Sequence, residues 1–597
     1  MRILCGTIFC AAIVAQWAGG ASIPEDFSGW VDPFVGTSAT GHTSPAACVP
    51  FGMVQAGPDT IGADGLWWHY CSGYRYEDGR IVGFSQTHLN GTGGIDLGDL
   101  LVLPFTGEVG NDNYSSKFRN VTEQASPGWY AVRLDDFGVV AEVSAAEHSA
   151  IYRFTYEKGG SAHLLVDTLY GLSLRQHNTA KSVVADVHID GKTGLSGTIR
   201  RPGWVSREIA FAIRFDRPAV AHRAIPPRRD GETAPRYVFD FDTKDGERLS
   251  VKIALSAEGG VAAAERNLAA EIPAWDFDAV KVAAHEKWNE VLGRATIEGT
   301  DEQKKNWYTS LYHLFIQPNN IADAGKQPFY STFSCWDTFR AAHPLYTILA
   351  PDKAAEFVDS MLEQGRRTGY LPIWTLWGHD NQCMIGTHSV PVIVDWFLKE
   401  CKVEGGELFT NTNSTSSTCS TRLNNPVNPV NPVNPVKKDY WLAAYAQIKD
   451  TLTKPHKGRI KERWDLLDRY GYYPFDEIKG ESVSRTMECA YDDWCAGMMA
   501  AKLGERGTGN GERDESLMAD AKFFFRRSEN WRNVFDPSIG LVRGKDTKGN
   551  WREPYDPYAL GHGAGKDNDF TEGNAFQYSW HVMQNPQGLV KAMGGRE

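Results

Sequence analysis

The sequence has no CxxC pair and no cysteine–histidine spacing suited to zinc, which excludes a structural zinc site from its 597 residues. It also lacks any cluster of lysine and arginine. With 62 basic and 74 acidic residues the net charge is −12, and without a basic stripe there is no footprint for a phosphate backbone, so nucleic acid is excluded as a partner. Beyond the N-terminal segment no run reaches the ~20 apolar residues of a membrane span. There is no acidic or basic tail. At 42% hydrophobic and 23% charged residues the composition is that of a soluble globular protein, and the length exceeds one ordinary core, so two or more packed units are expected.

Aromatic residues, by contrast, are plentiful: 19 tryptophans and 23 tyrosines. Flat rings stack on the apolar faces of sugars and also fill cores, and composition alone favours the cores. The N-terminus reads as a signal peptide over residues 1–21, with Arg2, the apolar run "ILCGTIFCAAIVA", and small residues Gly19 and Ala21 before Ser22. Cys5 and Cys10 fall inside it but not in a lipoprotein site. The expectation is an exported protein, periplasmic or extracellular, with no transmembrane segment in the mature chain. Export permits disulfides among the remaining cysteines, whose pairing spacing does not reveal.

Over residues 28–270 short alternating apolar runs are broken by Gly, Pro, Asn and Asp, as in "GWYAVRLDDFGVVAEVSAAEHSAIYRFTY". This pattern predicts an N-terminal antiparallel β-sandwich domain. The period then changes. Residues 271–299 hold a linker helix, "DFDAVKVAAHEKWNEVL", and residues 300–597 carry amphipathic helical segments such as "DKAAEFVDSMLEQG" and "ECAYDDWCAGMMAAKLG". A low-complexity insertion over 403–438 interrupts them, with Asn-Pro-Val repeats from Asn425 to Val436. Proline at every third place opposes helix and sheet, so a polyproline-like loop is expected there.

Four stretches combine glycine punctuation with polar and aromatic side chains. Val31 to Thr60 carries glycine-rich turns around His42, and Ser72 to Pro104 contains "GFSQTHLNGTGG". Either one alone is explained by turn chemistry. In "WDTFRAAHPL" Asp337 and Arg340 stand i, i+3, so on a helix they can pair on one face, with Asp337 near the N-terminus where a carboxylate is favoured. In "SRTMECAYDDWCAG" Glu488 and Asp492 share a face, and Glu488 is flanked by Met487, Cys489 and Ala490. Apolar surroundings raise a carboxyl pKa, which suits a general acid.

Together these stretches resemble glycoside hydrolase family 92, the exo-acting, calcium-dependent α-mannosidases. "VDPFVGT", "GHTSPAACVPFGMVQAGPDT", "GFSQTHLNGTG", "FSCWDTFRAAHPL", "MIGTHSVPVIVD", "MECAYDDW" and "DFTEGNAFQYSW" follow in the family's order across nearly the whole mature chain. The resemblance implies a β-sandwich packed on an (α/α)6 barrel, with the active site in the cleft between them. It implies inverting removal of terminal α-linked mannose, α-1,2-linked foremost, from mannosides or N-glycans, with Ca2+ as cofactor and mannose-containing glycans as partners. Carried over by motif, Glu488 is the general acid, Asp337 and Arg340 bind sugar hydroxyls, Trp336 shapes the pocket, and Trp67 or Trp68 approaches the leaving sugar. The calcium ligands are not assigned.

One family element is absent. The family's general base lies in a segment resembling Gly-Asp-x-Asp-x-Gly-Gln downstream of the last motif, and this sequence has none. Asp567 and Asp569 have a similar spacing but precede that motif, so they are not taken as the base. Periodicity gives fewer helices than the twelve of a closed double ring. The expectation is therefore a chain truncated at its C-terminus, with an incomplete barrel, exposed apolar faces and impaired activity. Two alternatives stay open: a mannoside-binding remnant without catalysis, and another β-sandwich/(α/α)6 enzyme such as a glycoside phosphorylase.

Overall fold

The computed structural model describes residues 25–595, apart from 63–65, 111–113, 176–179, 228–229, 405–434, 457–462, 479, 506–512 and 562–567. The expected signal peptide, Asp567 and most of the insertion lie outside the described residues. The first half is two antiparallel sheets. One has the order β1-β2-β3-β9-β14-β13, with β4 paired to β2; its strands are β1 (Gly57–Thr60), β2 (Arg80–Ser85), β3 (Leu101–Thr106), β4 (Ser116–Lys117), β9 (Gly160–Asp167), β13 (Ala221–Ile225) and β14 (Arg236–Thr243). The other has the order β10-β11-β12-β15-β8-β7-β6-β5. It comprises β5 (Gln124–Ser126), β6 (Trp129–Leu134), β7 (Val139–Ala145), β8 (Ser149–Tyr156), β10 (Val184–Ile189), β11 (Gly194–Arg201), β12 (Arg207–Phe215) and β15 (Glu247–Ser256).

The alternation that predicted these strands is what buries them. Phe84, Tyr130, Tyr152, Phe211 and Phe239 point into one shared core between the sheets, and Tyr152 sits directly across from Val251 where β8 pairs with β15. Such cross-strand apolar pairs set the register, because a slip of one residue would turn each ring to solvent.

Thirteen α-helices follow among the described residues, and they do not close a barrel. They are α1 (Gly260–Glu271), α2 (Phe277–Leu292), α3 (Asp301–Ile316), α4 (Cys335–Thr338), α5 (Ala342–Leu349), α6 (Pro351–Thr368), α7 (Ser389–Glu404), α8 (Pro435–Thr453), α9 (Trp464–Tyr470), α10 (Ser482–Glu505), α11 (Glu515–Arg527), α12 (Ala575–Tyr578) and α13 (Pro586–Ala592). The thirteen helices exceed the fewer than twelve that periodicity predicts, because single-turn helices such as α4 and α12 are too short to show a period. Two further features differ from the sequence expectation. Residues 260–271 are helical rather than part of a strand run, because "GVAAAERNLAAE" is rich in alanine, the best helix former; α1 packs on β12 and β15. The last Asn-Pro-Val repeat does not stay outside helix either, since α8 begins at Pro435, where a proline has no amide to lose.

α10 is the axis of the helical half. Its Cys489, Cys495 and Met499 belong to the large helical core, while its Val483, Met487 and Ala490 belong to a second core with Trp531, Phe570 and Tyr578. A helix buried on both faces must satisfy its polar groups internally, and Asp493 does so against Arg527, with Oδ2 2.8 Å from Nε.

The two halves are joined by Phe51. Its backbone adopts a left-handed φ of 59°, its N–H donates to the Phe315 carbonyl at 2.9 Å and its carbonyl accepts from the Asn320 N–H at 2.8 Å. The ring then meets Phe315, Tyr346 and Phe357 edge-on at 5.5, 5.8 and 5.4 Å. The motif "CVPFGM" is thus a plug from the β half into the helical core. Phe51→Ala removes that plug, and an expected loss of about 3–5 kcal/mol lowers the urea midpoint. An unchanged midpoint would show that the plug does not join the halves.

Candidate active site

The turn that carries Trp336 and Asp337 is short, because the strand pair Phe333–Ser334 and Trp374–Leu376 delivers the chain straight into the single-turn α4. Trp336 and Asp337 are consecutive and serve different spaces. Trp336 donates its indole N–H to Glu488 Oε1 at 2.9 Å. Asp337 faces a cleft of about 480 Å³ whose walls come from both halves: Trp68, Asn90 and Trp204 from the sandwich, and Ser334, Asp337, Trp374 and Glu572 from the helical side. That volume is typical of a small-ligand site.

Arg340 does not pair with Asp337 as expected from their spacing. The α4 turn ends at Thr338, so the i, i+3 geometry of a continued helix is lost, and the guanidinium turns toward Glu488, with Nη2 3.1 Å from Oε1. It also lies 4.7 Å from the centroids of both Trp336 and Phe339. Asp337 instead accepts from the Ser334 hydroxyl. Surrounding protein raises its carboxyl pKa, with Ser334 and the charge of Arg340 opposing that shift.

Glu488 is fully buried in the middle of α10. Oε1 takes the Trp336 and Arg340 donors, with the Tyr578 hydroxyl at 3.4 Å. Oε2 stands 3.0 Å from His388 Nε2 and 2.8 Å from His581 Nε2. Neither ring N–H is well aligned on the oxygen, so both contacts are ion-pair approaches rather than directed hydrogen bonds. The apolar neighbours in sequence led to an expected raised pKa for this carboxyl. The structure reverses that direction: burial does push it up, but His581 and His388 outweigh burial and hold Glu488 well below the ordinary carboxylate range.

His388 occupies the space between two carboxylates. Its Nδ1 is 2.9 Å from Asp492 Oδ1, while Asp492 Oδ2 accepts the Thr387 amide at 2.7 Å. Phe339 stacks on the imidazole at 4.1 Å and 15°. Gly386 makes room for the ring: its φ is 72°, and a Cβ there would come within 2.4 Å of His388 Nε2. Burial alone would lower this imidazole, but Asp492 and Glu488 carry it up to about 9.

Of the residues expected from sequence, Trp336, Arg340 and Glu488 come together, and Asp337 and Trp68 line the cleft. The side chain of Trp67 lies outside the described residues. Asp569 is held by Arg552 at 2.7 Å and by the Ser482 hydroxyl at 2.6 Å. His388, His581, Tyr578 and Glu572 were not singled out. The first three sit far from Glu488 in sequence, and no spacing rule links them; Glu572 carries a left-handed φ of 45° and stands between the cleft and a smaller cavity of about 160 Å³ beside Trp336, Arg340 and His581.

A hard cation such as calcium takes about six to eight oxygen ligands. The carboxylates lining the cleft are Asp337 and Glu572. Among the described residues, three grouped acidic or histidine ligands occur only at Glu147, His148 and Glu271, away from the cleft residues. Any further oxygen ligands in the cleft would have to come from neutral side chains such as Asn90, Thr92 and Gln317.

Residues 263–597 match the model for the Glycosyl hydrolase family 92 catalytic domain, and residues 30–256 match that for its N-terminal domain. A family GH92 α-mannosidase from Bacteroides thetaiotaomicron, solved with mannoimidazole, superposes with a TM-score of 0.80 at 29% identity, over 96% of this chain and 72% of that one. An inverting GH92 mannosidase of the same organism shares the fold, with a TM-score of 0.78 at 24% identity, over 96% and 73%. A protein of Arthroderma benhamiae described as an uncharacterized secreted glycosidase is 23% identical over 90% of this chain. This chain spans 66% of that relative's length. No helix among the described residues is long and apolar enough to cross a membrane.

The raised imidazole has a consequence for stability. A histidine whose folded pKa exceeds the ordinary 6.5 stabilises fully below about pH 6.5 and loses that contribution as pH rises through about 9. The melting temperature is expected to fall across that window, and His388→Gln should flatten the decline. An equal decline in the variant would assign the effect to other groups.

Proposed function

We infer that this chain, which belongs to glycoside hydrolase family 92, is an exported glycosidase that removes terminal α-linked mannose, α-1,2-linked among others, from mannosides or N-glycans. The observation that carries this reading is the buried Glu488 carboxylate, gripped through Oε1 by the indole of Trp336 and the guanidinium of Arg340. Both donors come from the segment that also sends Asp337 into the cleft.

The steps follow from these groups. Asp337 and the polar side chains of the cleft orient the terminal sugar by its hydroxyls. Glu488 is ionised at rest, while His388 carries a proton. A small rotation that aligns the His388 Nε2–H on Oε2, 3.0 Å away, lets that proton pass and exchanges a buried ion pair for a neutral pair. It makes Glu488 the acid that protonates the departing glycosidic oxygen, and Arg340 and Trp336 fix where that acid stands. No step here is routed through calcium, whose ligands are not assigned. Inversion, the finer expectation, requires water to attack the face opposite the leaving oxygen; the family's base segment is not found in this sequence, so the water's proton passes to solvent, and β-mannose is the first product expected by proton NMR, released slowly.

Glu488→Gln tests the role directly. Mannose release from mannobiose is expected to fall by roughly 10²–10⁴-fold, while an aryl mannoside with an activated leaving group, which needs little protonation, loses far less. Equal losses on the two substrates would remove Glu488 from the role of acid. A parent chain that releases no mannose from either would overturn the functional reading.

A further inference from the structure

We propose that His581 is the relay through which the buried acid is recharged with a proton between turnovers. The proposal rests on the hydrolase reading above and deepens it: that reading names the donor, His388, and this one names the way its proton is replaced.

Each cleavage consumes the proton that His388 brings, and His388 itself meets no solvent. Its ring is fully buried, the Glu488 and Asp492 carboxylates that flank it are fully buried as well, and Phe339 covers one face at 4.1 Å. A proton therefore returns to this ring only through a neighbouring group within hydrogen-bond reach that can both take and give one.

His581 is placed to do this. Its Nε2 stands 2.8 Å from Glu488 Oε2, the same oxygen that faces His388 Nε2 at 3.0 Å, so two imidazoles share one carboxylate oxygen. Unlike His388, it reaches the surface. Its side chain is 8% exposed and lines the cavity of about 160 Å³, where Glu572 and Gln577 are exposed. The other ring nitrogen, Nδ1, lies 3.4 Å from Arg340 Nη1. A guanidinium only donates, so Nδ1 presents a lone pair toward a residue that lines the same cavity. Tyr491 and Tyr578 pack against the ring, with centroids 6.2 and 6.1 Å away.

The protons balance. During cleavage His388 passes its proton to Glu488, Glu488 gives it to the leaving oxygen, and the attacking water releases one to solvent. A hydrated proton in the cavity then binds Nδ1 of His581 while Nε2 hands its own to Oε2, and Oε2 passes it over 3.0 Å to His388. Exchange with cavity water returns the His581 ring to its starting form with no net proton. One proton is taken up and one released per bond hydrolysed, and water is the only co-reactant. The alternative is that His581 serves only as a charge beside Glu488. Arg340 and His388 already supply charge there, so a second imidazole on Oε2 is redundant for that purpose and is not redundant for proton return.

The test compares His581→Ala and His581→Gln with the parent, all as the full chain. Steady-state mannose release from mannobiose is expected to fall roughly 10²-fold in both variants. Imidazole added to the assay should restore roughly tenfold of that in His581→Ala, whose vacated space admits it. It should restore nothing in His581→Gln, where the amide fills the space and still donates to Oε2. Parent-like release in either variant overturns the relay, as does a loss in His581→Ala that imidazole leaves unchanged. A second measurement follows the His388 ring protons by NMR in protein labelled with 15N-histidine. Their exchange with water is expected to slow roughly tenfold or more in His581→Gln, and exchange equal to the parent's overturns the proposal. That exchange needs neither substrate nor the alanine variant, so a parent chain that releases no mannose sinks the hydrolase reading while the relay is still decided.

Discussion

A carboxylate with no access to water has to be compensated by protein, and Glu488 organises the helical half around that requirement. Its compensators come from three separate segments: Arg340 follows α4, His388 precedes α7, and His581 follows α12. His388 brings its own charge, which Asp492 one turn further along α10 compensates. The result is a row in which carboxylates alternate with an imidazolium and a guanidinium, so removing any one leaves a buried charge exposed to a poor medium. The segments around α4, α7 and α12 are thereby tied to α10 by charge as well as by the apolar cores that α10 shares with α7 and α12.

The sandwich has its own constraint of the same kind. Asp96, Asp99, Arg201 and Arg207 form a buried set whose outward product is the placement of one turn, the one that brings Trp204 to the cleft, and Phe51 carries the sandwich into the helical core. The cleft is consequently a joint product. One wall is set by ion pairs in a β-sheet, the other by a one-turn helix, and their separation is fixed by the plug between them.

The legible parts of this arrangement are those that repeat along the chain. Period-two alternation gave the strands, and period-3.6 patterning gave α2, α6 and α10. The polar residues around Glu488 repeat nothing. Met487, Cys489 and Ala490 are its neighbours in sequence and argued for a raised pKa, but a helix sends adjacent side chains to different faces, and Met487 in fact fills a core. What surrounds the carboxyl is His388 and His581, about a hundred positions away on either side. Spacing rules read local geometry, and here a local rule predicted the wrong sign. The Asp337–Arg340 pair failed for a related reason, since the rule presumes a helix that continues and α4 stops after one turn. The ordered motifs did better because they reflect a whole fold: they singled out Glu488, Trp336 and Arg340, which the structure does bring into contact.

An ionised glutamate is a poor acid when taken alone, and a buried imidazolium is a poor one when it cannot reach the substrate. In the proposed mechanism the pair needs no proton from solvent at the moment of bond cleavage, because the charge that stabilises Glu488 at rest is the proton it would deliver. Trp336 and Arg340 hold Oε1 in place while Oε2 faces the imidazoles, so the two oxygens divide positioning from proton supply. Placing Trp336 and Asp337 next to each other then couples the two tasks in one turn of helix. Trp336 holds the Glu488 carboxylate and Asp337 faces the cleft, so the distance between carboxylate and cleft becomes a property of a rigid backbone rather than of two independent loops.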